Sequence, residues 1–552
     1  MPSAGVKSMV IPKRLPWVQV LPHAGLWLLI VLLFLPVGWT GEFWWTDEAR
    51  HAMGGVFILD AARDLPATDP MGYALRYFAQ YPALALNWYL PGFYVVEAVP
   101  FGAFGPSEAV ARTVVLGFCL LGVSVWYGWV RGSWGPTVAL LACALFVSGP
   151  EWNLWSRSVM LEAPVIALII VSVWALQRFM IAPAWPRAAA LGVALAGTLL
   201  VKQSAAFILP AMLAYVLWSP RRHVLWHRSA WPAYLLLIGA IALVALHALK
   251  FGSQGLEATV GTVGTGGERG VPLLSLDRWL LYPRTLLETW GLPLLLLSAL
   301  GALIPRRSHE DRLPLVLAWV ICWYLAVTLM IAEPNAPRYT MYAMPALALL
   351  AVRPLMLVED RPKWRASVIV VLVGALGWNV WRTVEQPVPN VSGYRQAAEQ
   401  IYATGTRAPM LFAGKHDGNF IFHLRRLDAE RRHVVLRADK ILLSLAVHKY
   451  FGMQSHVAST ADIEALVRRY GIEYVLLEAP DVLDLEEFTL LEQLVRGPAF
   501  EQVASLAVSS GGGAVAPKAI EIFRYRGYVP VEGAEIVIPL PHMGREIRFT
   551  PR

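Results

Sequence analysis

Long apolar runs alternate with short polar connections over the first 383 residues. The runs that predict membrane-spanning helices lie near 24–39, 109–130, 136–150, 163–180, 187–201, 203–219, 231–250, 285–304, 313–332, 337–352 and 366–382. Several are shorter than the roughly 20 residues that a helix needs to cross a bilayer, so their bounds are approximate. The pattern predicts a polytopic α-helical membrane protein with about eleven transmembrane helices.

Basic residues fix the orientation of these helices. Lys7, Lys13 and Arg14 precede the first run, and no small-residue cleavage pattern follows it, which predicts an uncleaved span with a cytoplasmic N-terminus. The segment 83–104 is apolar but broken by prolines, and we interpret it as a helix lying along the membrane surface. With this segment left out of the count, the basic loops all fall on the cytoplasmic side.

The chain changes character after residue 383. Charged amphipathic segments such as 461–470 alternate there with β-like runs such as 473–477 and 519–523. Alternating helical and strand patterns predict a small α/β domain over 384–552, on the outer face. The transmembrane domain then covers 1–383, and its first outer loop, 41–108, holds membrane-lying helices.

Composition supports the membrane assignment. Of 552 residues, 57% are hydrophobic and only 16% are charged, a balance that excludes disorder and an ordinary cytosolic enzyme. The net charge of +8 fits basic cytoplasmic loops facing anionic lipid better than nucleic-acid binding. Three cysteines, each within an apolar stretch, form no Cys-x-x-Cys pair, so neither a disulfide framework nor a zinc site is predicted.

Two acidic elements occur on the predicted outer face. Asp47 and Glu48 open the first outer loop, where Thr46 can cap a helix and the helix dipole favours acids. Adjacent residues point in different directions on a helix, so at most one of these acids is expected to do chemistry. Glu162 begins the fourth predicted span, five positions after Arg157. The acids are interpreted either as helix-terminus residues or as parts of an extracytoplasmic active site.

Positive charge on the same face runs against the positive-inside trend. Lys202 interrupts an apolar run, Arg269 lies among glycines, and Arg338-Tyr339 begins the tenth predicted span. A lysine at the end of a span can be explained by snorkelling of its ammonium group to the membrane surface. All three basic residues together are explained by binding of a lipid phosphate. No Walker-type phosphate cradle occurs, which argues against a soluble nucleotide.

Five elements in order resemble a known family. They are Asp47-Glu48-Ala49-Arg50, the aromatic-basic-proline element 76–82, the Arg157 to Glu162 element, Lys202, and the element 338–345 that ends in Pro345. Together they resemble the polyprenyl-phosphate-sugar-dependent membrane glycosyltransferases of the GT-C fold. The most similar branch is the dolichyl-phosphate-mannose protein mannosyltransferase-like proteins, which include the bacterial aminoarabinose transferases that modify lipid A.

The chain departs from the aminoarabinose branch at four positions. At the positions of His51, Gln80, Tyr81 and Glu162 in this chain, that branch has Tyr, Lys, Pro and Asp, respectively. The departures indicate the same fold with a changed phosphate or acceptor site.

The resemblance implies an inverting glycosyltransferase of the bacterial inner membrane. A hexosyl or pentosyl group would pass from a polyprenyl monophosphate to an acceptor hydroxyl on the periplasmic face, with Asp47 as general base. The implied site residues are Asp47, Glu48 and Glu162 for catalysis; Tyr77, Gln80, Lys202, Arg269, Arg338 and Tyr339 for the donor phosphate and lipid; and Arg50, His51 and Arg157 for the acceptor. No cofactor is expected. Some GT-C relatives use a divalent metal, and this alternative is open but not favoured here, because the first outer loop has neither an Asp-x-Asp pair nor a histidine cluster.

Other interpretations stay open from the residues alone. A multi-pass lipid transporter or flippase would also carry polar residues near a membrane face, although no repeat halves are present. A non-enzymatic scaffold would leave Asp47, Glu162 and Lys202 unexplained. The acceptor could be lipid A, another glycolipid, a cell-wall polymer or a protein. Arg425-Arg426 and Arg431-Arg432 are interpreted as a solvated face, with contact to acidic glycans as the alternative.

Overall fold

The computed structural model describes residues 16–35, 41–86, 88–251, 272, 274–308, 310–331, 337–358, 360–445, 453–480, 483, 485–531, 533–540 and 545–550. The described α-helices of the transmembrane domain are α1 Pro16–Phe34, α2 Thr46–Asp64, α3 Pro70–Gln80, α4 Gly92–Phe104, α5 Glu108–Ser148, α6 Pro150–Ser156, α7 Glu162–Ile181, α8 Trp185–Val201, α9 Ile208–Trp218, α10 Trp231–Phe251, α11 Leu276–Thr289, α12 Leu292–Leu303, α13 Leu313–Ala326, α14 Met344–Val352 and α15 Pro362–Glu385.

Five helices of the described residues are long and apolar enough to cross a membrane, or six if the bent pair 276–289 and 292–303 forms one span. Further apolar helices, such as α8 and the segment 203–218, are shorter. The predicted runs 109–130 and 136–150 both lie in α5, whose backbone breaks at Gly135 (φ 83°) before Pro136. A left-handed residue followed by proline interrupts the helical hydrogen bonds, so α5 consists of two helices. The protein is a multi-pass membrane protein, and the number eleven stays a prediction.

The segment 41–108, which the sequence predicts to be the first outer loop, contains three helices, α2, α3 and α4. The segment interpreted as membrane-lying forms the short helix α4, which packs against α2. The glycines of α2 permit this close packing: a Cβ at Gly54 would meet the ring of Tyr94, and one at Gly55 the carboxylate of Glu97. The loop therefore presents α2, with Asp47 in its first turn, as an element backed by α4.

The C-terminal residues form the predicted α/β domain. Its helices are α16 Tyr394–Ala403, α17 Asp417–Leu427, α18 Ala438–Ile441, α19 Thr460–Arg469 and α20 Glu486–Val495; its strands are β1 Asn390–Ser392, β2 Met410–Ala413, β3 Val435–Arg437, β4 Leu443–Leu445, β5 Met453–Ser455, β6 Tyr474–Ala479, β7 Phe500–Ala507, β8 Ser509–Gly511, β9 Ala519–Tyr525, β10 Ile536–Leu540 and β11 Arg545–Phe549. The main sheet has the order β3-β2-β6-β9-β7, in which β2 is parallel to β3 and β6, and β9 is antiparallel to β6 and β7. The pairs β1–β8, β4–β5 and β10–β11 are antiparallel.

This domain is docked on the first outer loop through buried polar contacts. The Glu42 carboxylate accepts hydrogen bonds from the backbone N–H groups of Tyr394 (3.0 Å) and Arg395 (3.1 Å) at the start of α16. Arg425 Nη2 lies 2.5 Å from Asp60 Oδ2. Such charges are compensated only when paired, so these contacts tie the two domains together.

The interpretation of the two arginine pairs as a solvated face is wrong for Arg425, whereas Arg431 is half-buried and paired with an acid. Arg425 is buried against Asp60, and Arg431 Nη2 donates to Asp64 Oδ1 at 2.8 Å. Their neighbours Arg426 and Arg432 are exposed. Asp60 and Asp64 lie one helical turn apart on α2, and together they form an acidic face that receives the two inward arginines.

Candidate active site

The two adjacent acids Asp47 and Glu48 differ in their contacts. Glu48 is buried, and its carboxylate accepts hydrogen bonds from the backbone N–H groups of Trp44 (3.2 Å), Trp45 (3.1 Å) and Val159 (2.9 Å). It therefore holds the start of α2 against the loop before α7, and burial raises the pKa of its carboxyl. The helix begins at Thr46 with Trp45 at the N-cap position, not with Thr46 as the predicted cap.

Asp47 remains available for chemistry. Within the described part of the chain its half-exposed carboxylate makes no hydrogen bond or ion pair. Its charge acts on the ring of His51, one turn along α2, together with the charges of Glu162, Lys202 and Arg338. We call Asp47, Glu162, Lys202 and Arg338 the outer-face cluster, after the membrane face that the sequence predicts for them.

Glu162 is the centre of the ion pairs in this cluster. It is fully buried at the first residue of α7, and its Oε1 accepts a hydrogen bond of 2.6 Å from Lys202 Nζ. Arg338 Nε lies 3.6 Å from the same oxygen. The second carboxylate oxygen, Oε2, is buried without a hydrogen-bond partner among the described residues. Arg157, the local partner considered from the sequence, instead donates to the carbonyl oxygens of Asn153 (2.8 Å) and Thr383 (3.4 Å).

Aromatic rings enclose the two cations of the cluster. Lys202 Nζ lies 6.0 Å from the ring centroid of Tyr89 and 5.9 Å from that of Tyr339. The guanidinium of Arg338 lies 5.2 Å from the Tyr339 ring and 5.7 Å from the Trp155 ring. Cations over aromatic faces keep part of their charge available while losing water. The arrangement provides two positive charges that are paired with Glu162 and flanked by aromatic rings, and the charge of Asp47 acts on one of them, Arg338.

Three other predicted site residues, Arg50, Tyr77 and Gln80, lie at the interface between α2, α3 and the C-terminal domain. The Tyr77 hydroxyl donates to Asp60 Oδ2 at 2.7 Å, and Gln80 Nε2 donates to the carbonyl oxygen of His433 at 3.0 Å. Arg50 Nη2 lies 3.5 Å from Asp417 Oδ1. The contacts of these three side chains are thus with the domain interface and not with Lys202. Arg269 lies outside the described residues.

His51 is held as a neutral ring beside the cluster. Burial lowers the pKa of His51 to about 4, and the positive charge of Lys202 acts in the same direction, whereas the negative charge of Asp47 opposes it. His51 Nδ1 lies 3.0 Å from the Tyr94 hydroxyl, which orients the ring. At neutral pH the ring offers hydrogen bonds without adding charge.

Protonation of His51 should destabilise the folded protein in acid. Between pH 6.5 and about 4, His51 is protonated in the unfolded chain but stays neutral in the folded protein. The free energy of unfolding therefore decreases as the pH falls through this window. Relative to a His51→Phe variant, the wild-type free energy of unfolding should fall by about 3 kcal/mol between pH 7 and pH 4. Chemical unfolding in detergent at several pH values measures the difference. Parallel curves for the two proteins would contradict the prediction.

Three residues of the site carry little signal in the sequence. Tyr89 lies in the broken apolar segment 83–104, where nothing distinguishes it from an interfacial aromatic residue. Trp155 and Tyr342 stand in sequence elements that were singled out for their charged residues and not for their aromatic ones. The Tyr342 hydroxyl lies 3.2 Å from Ser204 Oγ, and either group can donate the hydrogen bond. An aromatic enclosure is a tertiary feature and has no fixed spacing.

The described residues bring together no group of three or more His, Cys, Asp or Glu side chains suited to a metal ion. The expectation that no metal is used stays a prediction. Among the described residues, Glu162 Oε2 is the one carboxylate oxygen of the cluster that is buried without a hydrogen-bond partner.

Comparisons with known proteins agree with the predicted resemblance. Residues 92–249 match the model of the dolichyl-phosphate-mannose-protein mannosyltransferase family. The search of the curated proteins gave no match. The structure is similar to ArnT from Cupriavidus metallidurans bound to undecaprenyl phosphate, with a TM-score of 0.60 and 13% identity over 94% of this chain and 100% of that one.

Two further solved structures are similar. The apo state of the same ArnT gives a TM-score of 0.58 and 14% identity, covering 93% of this chain and 99% of that one. The oligosaccharyltransferase of Archaeoglobus fulgidus, in complex with zinc and sulfate, gives 0.53 and 14% identity over 83% of this chain and 68% of that one. The predicted resemblance is confirmed, and so is the fold class: a helical GT-C membrane fold with a C-terminal α/β domain.

Proposed function

We propose that this chain is an integral-membrane glycosyltransferase that moves a sugar from a polyprenyl-monophosphate donor to an acceptor hydroxyl. The observation that carries the proposal is the outer-face cluster: Lys202 and Arg338 are gathered on the buried Glu162, and the charge of Asp47, whose carboxylate has no hydrogen bond or ion pair among the described residues, acts on Arg338. A base beside a site for an anionic leaving group is what displacement at a phosphorylated sugar carbon requires.

Each side chain has a defined part in this displacement. The acceptor oxygen forms the new bond to C1 of the sugar while its proton passes to Asp47. The bond between C1 and the phosphate oxygen breaks, and the phosphate leaves with both electrons. Lys202 and Arg338 stabilise the charge that develops on that oxygen. Attack opposite the leaving group inverts the configuration at C1.

Three findings support the donor and the membrane side. The name of the matched family describes mannose transfer from dolichyl phosphate, and the similar ArnT structure holds undecaprenyl phosphate. Basic loops predict that the cluster lies on the extracytoplasmic face of a bacterial inner membrane, with the N-terminus in the cytoplasm. The cluster lies at helix ends, with Asp47 and Glu162 in the first turns of α2 and α7 and Lys202 directly after α8, which supports a site near a membrane surface, where a lipid phosphate resides.

The proposal is tested by comparing extracts of cells that express either the wild type or an Asp47→Asn variant at equal levels. Mass spectrometry of the lipid, glycan and protein fractions should show one glycosylated species lost and its unmodified precursor accumulated. Purified protein in proteoliposomes should transfer sugar from a polyprenyl phosphate, and transfer should survive EDTA because protein cations neutralise the phosphate. Lipid movement across the bilayer without any sugar transfer would overturn the proposal in favour of a transporter.

A further inference from the structure

The last helix of the transmembrane domain, α15, ends beside an open groove. Its volume of about 450 Å³ lies within the range of pockets that bind small molecules. The groove is lined by Trp378, Trp381, Arg382, Glu385 and Gln386, which lie in the last two turns of α15 or directly after them. Helix α15 is long and apolar enough to cross a membrane. The groove is therefore expected where this helix leaves the bilayer, at the level of the lipid headgroups.

Two tryptophans form an open aromatic wall of the groove. Trp378 is 57% exposed and Trp381 is 52% exposed, and their ring centroids lie 4.8 Å apart. Neighbouring side chains thus leave about half of each indole uncovered. Tryptophan is common at membrane surfaces, and an uncovered indole face also attracts a cation. A general aromatic belt explains the two rings but does not explain the charged residues beside them.

Arg382 brings a positive charge to this wall. Its Nη1 donates to the carbonyl oxygen of Glu288 in α11 at 3.3 Å, which holds the guanidinium at one side. No acid lies within ion-pair distance of Arg382 in the described part of the chain, and its other N–H groups make no hydrogen bond there. A guanidinium held in this way is suited to bind a phosphate.

Glu385 brings a negative charge that is also unpaired. It is the last residue of α15, its side chain is exposed, and within the described ranges it has neither a hydrogen bond nor an ion pair. It does not pair with Arg382, although only three positions separate them. The dipole at the C-terminus of a helix disfavours an acid, so a bound cation would stabilise this end of α15.

We propose that this groove binds the headgroup of a zwitterionic phospholipid, phosphatidylethanolamine. Its phosphate pairs with Arg382, and its ammonium donates to the Glu385 carboxylate while lying against the indole faces. Exposed apolar residues of α15 such as Val370 and Val373 continue the surface for the acyl chains. An anionic phospholipid would leave Glu385 without a cation, and a choline headgroup has no N–H to donate to it. This inference is independent of the proposed function.

Quenching of tryptophan fluorescence by brominated acyl chains tests the site in a bilayer. The full chain is placed in phosphatidylcholine nanodiscs that contain a small share of brominated phosphatidylethanolamine, phosphatidylglycerol or phosphatidylcholine. Subtracting the signal of a variant with both Trp378→Phe and Trp381→Phe isolates the groove. The wild type should bind phosphatidylethanolamine about 3- to 10-fold more strongly than the other two lipids, since each charge lies partly in water.

Two variants give opposite changes in selectivity. Arg382→Gln should weaken binding of phosphatidylethanolamine and of phosphatidylglycerol, because both carry the phosphate. Glu385→Gln should weaken only phosphatidylethanolamine, so that its advantage over phosphatidylglycerol is lost. General unfolding cannot produce this pair of results. The matched controls are Arg365→Gln, an exposed arginine beside the exposed Trp364 near the other end of α15, and Asp360→Asn, an exposed acid just before it; both should behave as wild type.

Two outcomes would overturn the inference. Equal quenching by all three lipids in the wild type would make Trp378 and Trp381 ordinary residues of an interfacial belt. Loss of the phosphatidylethanolamine signal on addition of excess inorganic phosphate would assign the groove to a free anion instead of a headgroup. Sugar transfer is not measured in this assay, so its result does not depend on the enzymatic activity.

Discussion

Asp47→Asn is expected to reduce sugar transfer by about 100- to 10,000-fold, the range that a positioned general base contributes. The amide keeps the size of the side chain but cannot accept the acceptor proton. Because Asp47 makes no hydrogen bond or ion pair among the described residues, its substitution removes no structural contact. Initial rates of transfer from a polyprenyl-phosphate sugar in proteoliposomes measure the loss, and it should appear in kcat.

Two controls define this result. Asp277→Asn changes another acid at the start of a helix, and its side chain is largely exposed; it should transfer at the wild-type rate. Thermal unfolding of the Asp47→Asn protein should match that of the wild type. A variant that keeps more than about a tenth of the activity would remove Asp47 from the role of base, since such a residual rate is too high for a lost general base.

Lys202→Gln is expected to lower kcat by about 100- to 1,000-fold, as removal of one donor to a developing oxyanion does. The glutamine amide can still donate to Glu162 Oε1, but it brings no positive charge to the departing phosphate. Arg338, 3.6 Å from the same oxygen, keeps Glu162 from becoming an unpaired buried charge. The same proteoliposome assay measures the effect.

Lys250→Gln is the matched control for this substitution. Lys250 is also a lysine at the end of an apolar helix, but its side chain is exposed, so transfer should be unchanged. If Lys202→Gln transferred sugar at the wild-type rate, Lys202 would be a snorkelling residue that pairs with Glu162 for structure alone.

Much of the fold could be predicted because the membrane imposes it. Apolar runs, basic loops and the change of composition near residue 384 each report directly on burial in lipid or in water. Helix α15 ends at Glu385, and the first strand of the C-terminal domain begins at Asn390, close to the predicted domain boundary. Within 83–104 the helix α4 is only 13 residues long, and the interpretation of this segment as membrane-lying stays a prediction.

The partners of the charged residues could not be predicted in the same way. Lys202 follows Glu162 by 40 positions and Asp60 precedes Arg425 by 365, so neither pair has a local spacing. For Asp47 and Glu48 helix geometry indicated that at most one acid would do chemistry, and only the family resemblance pointed to Asp47. The difference between the two acids comes from tertiary contacts: backbone N–H groups of Trp44 and Val159 donate hydrogen bonds to the Glu48 carboxylate.

The contacts between Glu42 and the start of α16 also bear on how the protein is made. They join residues about 350 positions apart, and the Asp60–Arg425 pair spans a similar distance. Contacts of such high sequence separation form late, and during synthesis the N-terminal elements emerge first. The helix that carries Asp47 is thus made well before the domain that packs against it. We expect its position to become fixed only when the whole chain has been synthesised.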